Sequence, residues 1–365
     1  MRSIIRLTVL LVVFAFIKLN ASQVLSLSAA IVDHLVFVEN EELFGITQEK
    51  GGWASIDYET FCNYLKVIEG RTSMCPGGSG VNVIKGLSRL GNKCAVVGKI
   101  GPDKMGDYFI EQLSRKGIML FLEKGVLPTG QAICFITPDG QRTFRAYVGA
   151  SHSQSDLKLD VSFFQDIDLF HVEGYQLIEP DLVLRSLKAA KALNIKTSID
   201  LANVELIRRF RPFIFEILEN YVDIVLCNQD EALELTGLEP KEVCAFLAKY
   251  CPVAVVTMGE KGCWTQSGEE QVFAPAFFVA PIDTTGAGDY FASGFLDGYL
   301  KGYSLHSSSL QGALIASYVV RTVGTELSQA SWDEIHLKLL WRFPAGQDLM
   351  SIFRNKDRML PLSAR

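Results

Sequence analysis

Four short runs at 168–172, 195–199, 223–227 and 253–256, wholly apolar in the last and mixed with polar residues in 168–172 and 195–199, read as strands each followed by a helical pattern or a turn, and this spacing constrains the fold most. Apolar runs without polar alternation mark strands buried on both faces, and such strands separated by helices pair in parallel. The expectation is an α/β chain with a doubly wound, mostly parallel sheet. A further apolar run at 24–33 reads as a strand ending in Asp33. Ligands of such sheets gather beyond the carboxyl ends of the strands, where Asp33, Asn228 and Gly259 fall by this reading. One segment breaks the pattern: runs at 132–137 and 142–148 flank Pro138-Asp139-Gly140-Gln141, a turn of hairpin character. With the apolar pieces near 36–46 it is expected to form a small β lid; the alternative is a surface excursion.

Two glycine clusters precede helical patterns. In Asp283-Thr284-Thr285-Gly286-Ala287-Gly288-Asp289, the following residues Phe291, Phe295 and Tyr299 continue from Ala287 at a spacing of four, so the glycines lie at a helix N-terminus. Unpaired N–H groups and the helix dipole would face an anion there, and Asp289 could take a proton from an attacking hydroxyl. The plainer alternative is a softened turn with Asp289 favouring the dipole. Upstream, Gly77-Gly78-Ser79-Gly80-Val81-Asn82 leads into Val83, Leu87 and Leu90 at helical spacing. Paired glycines let a ligand approach the backbone, and Asn82 offers donor and acceptor to a hydroxylated partner, or only a tight turn with a solvated Asn.

The first cluster closely resembles the C-terminal signature of the ribokinase-like (PfkB) family of carbohydrate and nucleoside kinases, and the second resembles that family's sugar-binding motif. The resemblance runs from about residue 24 to residue 328. It implies Asp289 as general base and Gly286, Ala287 and Gly288 as the anion hole. Asp33, Gly77, Gly78 and Asn82 would hold the acceptor. Asn228 and Glu231 would act in an Asn-x-x-Glu motif linked to Mg and phosphate, and Thr257, Gly259 and Gly262 in a nucleotide loop. The loop 321–328, through Gly324 and Ser328, would with Asp283 and Thr285 bind a monovalent cation such as K, or only close over the adenine. ATP and Mg are the implied cofactors. Gly-Gly-Ser and His171-Val172-Glu173-Gly174-Tyr175 look closer to the adenosine kinase-like branch, whereas Gly-Gly-Ser-Gly-Val-Asn also fits the ribokinase branch; Phe135, Phe144 and Tyr147 of the hairpin read either as a purine slot or as lid core. The expected activity is transfer of the γ-phosphoryl group to a primary hydroxyl of a sugar or nucleoside. A non-catalytic sugar- or nucleoside-binding regulatory protein on the same fold is the alternative.

With 35 Lys and Arg against 41 Asp and Glu, and no basic run, the chain does not read as a nucleic-acid binder. The eight cysteines form no Cys-x-x-Cys, and no Gly-x-Ser-x-Gly occurs, so neither a zinc site nor a hydrolase triad is expected. The partners are small molecules, and the chain is expected as a monomer or homodimer. Residues 1–22 form an apolar leader, signal-like or extraneous, whose charge-free stretch at 7–17 is too short for an ordinary membrane span. The domain is expected at 23–330, with a C-terminal helical tail at 331–365 whose basic part from 343 to 365 reads as a solvated helix. Cytoplasmic action is expected, the leader leaving anchored, exported or organellar locations as alternatives.

Overall fold

The structure, a computed structural model, describes residues 21–139, 141–159 and 161–342. Most of the leader (1–20), Gly140 of the hairpin turn and the end of the expected tail (343–365) lie outside these residues. In chain order the strands are β1 (Gln23–Leu27), β2 (Ile31–Phe37), β3 (Trp53–Ser55), β4 (Ser73–Gly77), β5 (Lys93–Ile100), β6 (Met119–Lys124), β7 (Gly130–Ile136), β8 (Arg142–Tyr147), β9 (Leu169–Glu173), β10 (Lys196–Asp200), β11 (Ile224–Asn228), β12 (Val253–Thr257), β13 (Cys263–Ser267) and β14 (Glu270–Ala274). The helices are α1 (Asn40–Ile46), α2 (Tyr58–Val67), α3 (Ser79–Arg89), α4 (Lys104–Arg115), α5 (Pro180–Ala192), α6 (Val204–Asn220), α7 (Gln229–Thr236), α8 (Pro240–Leu247), α9 (Ala287–Leu300), α10 (Leu305–Val319) and α11 (Gln329–Arg342).

Nine strands form the main sheet in the order β14-β13-β12-β11-β10-β9-β1-β5-β6. The pairs from β12 across to β6 are parallel, and β13 and β14 add an antiparallel edge. The four runs are β9 to β12, each within a residue of the expected bounds. Their alternate side chains serve opposite layers. Val225, Cys227, Ala254 and Val256 pack with α5 to α8, while Ile224, Leu226, Val253 and Val255 pack with α3, α4, α9 and α10. A sheet covered on both faces needs no polar alternation, which is why β11 and β12 read as nearly continuous apolar runs, whereas β9 and β10 carry buried polar residues such as His171, Thr197 and Ser198.

A second, five-stranded sheet has the order β3-β8-β7-β2-β4. The hairpin at 132–148 is its β7–β8 pair. The piece near 36–46 is a correction: beyond Phe37 it turns into α1, with Glu41 and Glu42 in the first turn and Leu43 buried. Acidic residues favour a helix N-terminus, and one buried position per turn suits a short helix rather than a strand. The far face of this sheet (Val36, Ile133, Phe135) is covered by Leu43 of α1, Phe61 of α2 and Ile68. Its near face, through Ile31, Asp33, Ala132 and Phe144, looks onto the carboxyl edge of the main sheet.

The run at 24–33 is likewise not one strand. It breaks at 28–30 into β1 of the main sheet and β2 of the second, so Asp33 sits inside β2, opposite Cys75 and Ala132. Composition alone does not reveal a strand that changes sheets. The described start of the tail is a helix, α11, docked with Trp332 and Ile335 buried against Leu314, Ile315 and Tyr318 of α10; the part expected as a solvated helix, 343–365, lies outside the described residues. Among the described residues no helix is long and apolar enough to cross a membrane.

Candidate active site

The loop before α9 takes its shape from Gly286, the N-cap, whose φ of +71 is left-handed. A Cβ there would lie 2.8 Å from Thr325 Cγ2, whereas one on Gly288 would meet nothing within 4 Å. Gly286 therefore shapes the turn, and Gly288 keeps open space in front of the helix. Asp289, in the first turn, receives Ser79 Oγ on Oδ1 and Asn82 Nδ2 on Oδ2, both at 2.8 Å. Both donors begin α3. That helix reaches α9 closely because Gly86 has no side chain; a Cβ there would stand 2.2 Å from Ser293 Oγ. Burial raises the carboxyl of Asp289 above its ordinary range, opposed by the Asn82 and Ser79 hydrogen bonds and the charge of Lys85. Asn82 Oδ1 is buried without a partner.

Asp33 approaches from β2. Burial pushes its carboxyl up to about 7, Lys85 pulling it down and Asp289 adding to the rise. Gly77 and Gly78 also admit the protein's own atoms. A Cβ on Gly77 would fall 2.1 Å from Asp33 Oδ2, and one on Gly78 2.2 Å from the Ala29 carbonyl oxygen. Gly78, Asn82 and Asp33 line the cavity. Beneath them, Lys85 donates to Pro76 O (2.8 Å), Thr325 Oγ1 (2.9 Å) and Glu326 Oε1 (2.9 Å). Burial opposes its charge, but the Glu326 carboxylate beside it outweighs that and holds its ammonium above the ordinary lysine range. Glu173, at the end of β9, accepts the Ala29 and Gly80 N–H groups, and burial raises its carboxyl to about 8.

The carboxyl edge of the sheet brings further expected residues together. Asn228 ends β11 beside Thr257, which ends β12. Asn228 and Glu231 form a reciprocal capping box: Asn228 Oδ1 accepts the Glu231 N–H, and Glu231 Oε2 accepts the Asn228 N–H, both at 2.9 Å. Burial raises the Glu231 carboxyl to about 7, with Asp230 and Asp289 adding to the rise. Asp200, ending β10, is raised well above its usual range by burial and then by Glu231 and Asp289. Each of these carboxyls is pushed further up by the charge of neighbouring carboxylates, and a cation placed among them would relieve that repulsion.

Two cavities meet at Thr257, Thr284, Ala287, Gly288 and Phe291. The first, about 410 Å³, holds Asp33, Asn82, Glu173, Asp200, Glu231 and Asp289. Its upper wall is aromatic: Trp53 and Phe144, opposite each other in β3 and β8, and Tyr175, whose ring centroid is 5.7 Å from that of Trp53. Of the three aromatics expected there, Phe144 alone lines it. Phe135 is in the core under α1 and α2, and Tyr147 packs on Tyr58 and Phe61. The second cavity, about 470 Å³, is walled by Phe277, Phe278, Val279, Pro281, Ala316 and Val320, with Gly259 and Gly262 at its rim. Gly262 has φ +103 and lets Ala274 O approach.

Asp283, Thr285 and Gly324 come together, but around an arginine. Asp283, only 1% exposed, accepts the Thr285 N–H on Oδ1 and the Gly324 N–H on Oδ2, both at 2.7 Å. Arg142 of β8 places Nη1 2.6 Å from Asp283 Oδ1 and in hydrogen bond to Thr285 Oγ1, and Nη2 2.7 Å from Thr284 Oγ1. Ser328 is elsewhere employed. Its Oγ accepts the Ser331 N–H and its carbonyl the Trp332 N–H, both at 3.1 Å, as the start of α11. The sequence reading missed Arg142, Lys85, Asp200 and Trp53. Arg142 shares a strand face with Phe144, a period-two signal within the hairpin; Lys85 follows Asn82 by three on the same helix face. Trp53 has no such signal.

A buried carboxylate at a helix N-terminus between two cavities, on a doubly wound sheet with a smaller one above it, defines a ribokinase-like α/β protein. The sequence pattern described as pfkB family carbohydrate kinase matches residues 54–332, well over half of the chain, and the chain belongs to that family. It is 31% identical to ribokinase of Mus musculus over 279 residues, covering 72% of this chain and 84% of that one. Fructokinase-2 of Oryza sativa subsp. japonica is 30% identical over 247 residues, 63% of this chain and 72% of that protein. The crystal structure of adenosine kinase from Sinorhizobium meliloti superposes with a TM-score of 0.79 at 29% identity, covering 87% of this chain and 99% of that one.

Proposed function

We propose that this chain is an ATP-dependent kinase that transfers the γ-phosphoryl group to a primary hydroxyl of a sugar or nucleoside, acting in the cytoplasm. The observation that carries the reading is the place of Asp289: at the head of α9, where the two cavities meet, beside open space at Gly288. A hydroxyl presented from the first cavity would lie between Asp289 and the N–H groups of Gly286 and Gly288, the Ala287 N–H being given to Thr284 O at 3.2 Å. Asp289 would take its proton as the bond to phosphorus forms, and the N–H groups would hold the transferring oxygens. The raised carboxyl suits a base working near neutral pH. Asp33, and Asn82 through its unpartnered Oδ1, would fix the acceptor's hydroxyls. Mg arriving with ATP would find Asp200 and Glu231, whose crowding favours a cation, and the apolar second cavity suits an adenine ring.

Within that class, the wall of Trp53, Phe144 and Tyr175 favours a nucleoside, since a planar base gains from aromatic contact where a bare sugar does not. The test is Mg-dependent ADP release by the chain lacking residues 1–22 with ribose, fructose, adenosine, inosine and cytidine, beside Asp289→Asn. Release with one acceptor, reduced by about a hundred- to ten-thousand-fold in a variant that still melts normally and binds ATP, is expected. Full turnover in Asp289→Asn would refute the base. A folded protein that binds ATP but releases no ADP with any acceptor favours the regulatory alternative.

A further inference from the structure

The residues that a monovalent cation would need are already engaged. Both oxygens of Asp283 accept backbone N–H groups, Oδ1 is also paired with Arg142, and the Thr285 hydroxyl accepts Arg142 as well. Ser328 caps α11 with both its hydroxyl and its carbonyl. This donor set fits a guanidinium, which is planar and places two nitrogens on neighbouring oxygens, better than an alkali ion seeking a shell of free oxygens. Yet the demand for positive charge is real, because a carboxylate 1% exposed is stable only when paired.

We propose that Arg142 is the built-in counter-ion of Asp283, so that the loop before α9 holds its shape without a monovalent cation. The guanidinium is carried by β8, on the strand face that also presents Phe144 to the acceptor cavity. The positive charge therefore reaches the loop only when the second sheet lies over the site. Arg142 braces Asp283, Thr284 and Thr285 together, the three residues leading into Gly286, and acts as a positioning residue. The proposal rests on the kinase reading only for its effect on turnover; its effect on the loop does not.

The test compares the full-length protein in potassium chloride and in tetramethylammonium chloride at equal ionic strength, reading both melting temperature and ADP release. Wild type is expected to melt and turn over alike in the two salts. Arg142→Ala is expected to melt lower in tetramethylammonium and to regain both melting temperature and rate when potassium or methylguanidinium is added. A purely structural role would not be rescued by a small cation. Severalfold activation or clear stabilisation of wild type by potassium overturns the proposal, as does an Arg142→Ala protein that neither cation restores. Should that variant not fold, the wild-type comparison alone decides. Melting needs no turnover, so an inactive protein with salt-indifferent melting would sink the kinase reading and leave this one standing.

Discussion

At Gly286 and Gly288 the same residue type does two jobs, and alanine separates them. Gly286→Ala must adopt a left-handed φ and meet Thr325 Cγ2 at 2.8 Å, so it should lose about 1–3 kcal/mol in denaturant unfolding. Gly288→Ala meets nothing and gains helix propensity of about 0.5–1 kcal/mol, so it should be at least as stable as wild type. Its methyl would fill the space before the helix, so phosphate-bearing ligands should bind it severalfold more weakly in calorimetry. The site carboxyls make a second prediction. Asp33 and Glu231 are raised to about 7 and Glu173 to about 8, far above the range near 4 of an unfolded chain. Their extra protons are held only by the folded state, so stability falls as pH rises through these values and levels off above them. Below about 6.5 the buried His152 and His171, held neutral down to about 4, act in the opposite sense. The clean window is therefore pH 6.5–8.5, where ligand-free protein should melt at lower temperature as pH increases. A melting temperature that climbs across that window would contradict the raised values. Sequence made Asp289, Asn82 and Asp33 legible because glycine spacing or an apolar run surrounds them. It could not show Arg142 or Lys85, whose importance comes from partners far along the chain.

Among elements, the junction of α9 with α10 is the tightest constraint on the site. A Cβ on Gly294 would lie 2.8 Å from Gly312 Cα and 2.9 Å from Gln311 O, and one on Gly312 2.7 Å from Phe291 O. Helices meeting backbone to backbone cannot yield to a side chain without separating. Gly294→Val should therefore lose about 1–3 kcal/mol of stability, and because α10 walls the second cavity through Ala313, Ala316 and Ser317, it should also weaken ATP binding. Normal ATP affinity in a destabilised Gly294→Val would show that α10 can shift without moving that wall. The strands β9 to β12 were legible to within a residue because each is followed by a helical pattern or a turn, and in β11 and β12 burial on both faces leaves a nearly uninterrupted apolar run. The break at 28–30 and the helix α1 were not, because whether a chain continues or changes sheets depends on neighbours that no local pattern records.

For the whole molecule, seven of the eight cysteines are buried and Cys62 is partly exposed. Burial raises the thiols of Cys75, Cys251 and Cys263 to about 12, which keeps them unreactive. A thiol reagent followed by mass spectrometry should modify Cys62 alone in the native protein and every thiol once it is unfolded. Labelling at Cys227 or Cys244 without loss of fold would mean that the layer of α7 and α8 opens. The general architecture was readable from strand spacing and two glycine motifs, while the second sheet's full membership was not, since β3 and β4 are short and carry no repeat. The hydrogen bond from Ser79 to Asp289 joins positions 210 residues apart. During synthesis the acceptor wall is thus translated long before the group proposed to act on it. A chain cut short before α9 would lack both Asp289 and two of the helices that cover one face of the main sheet, so a nascent chain can close its core and its proposed site only in the same late stretch of synthesis.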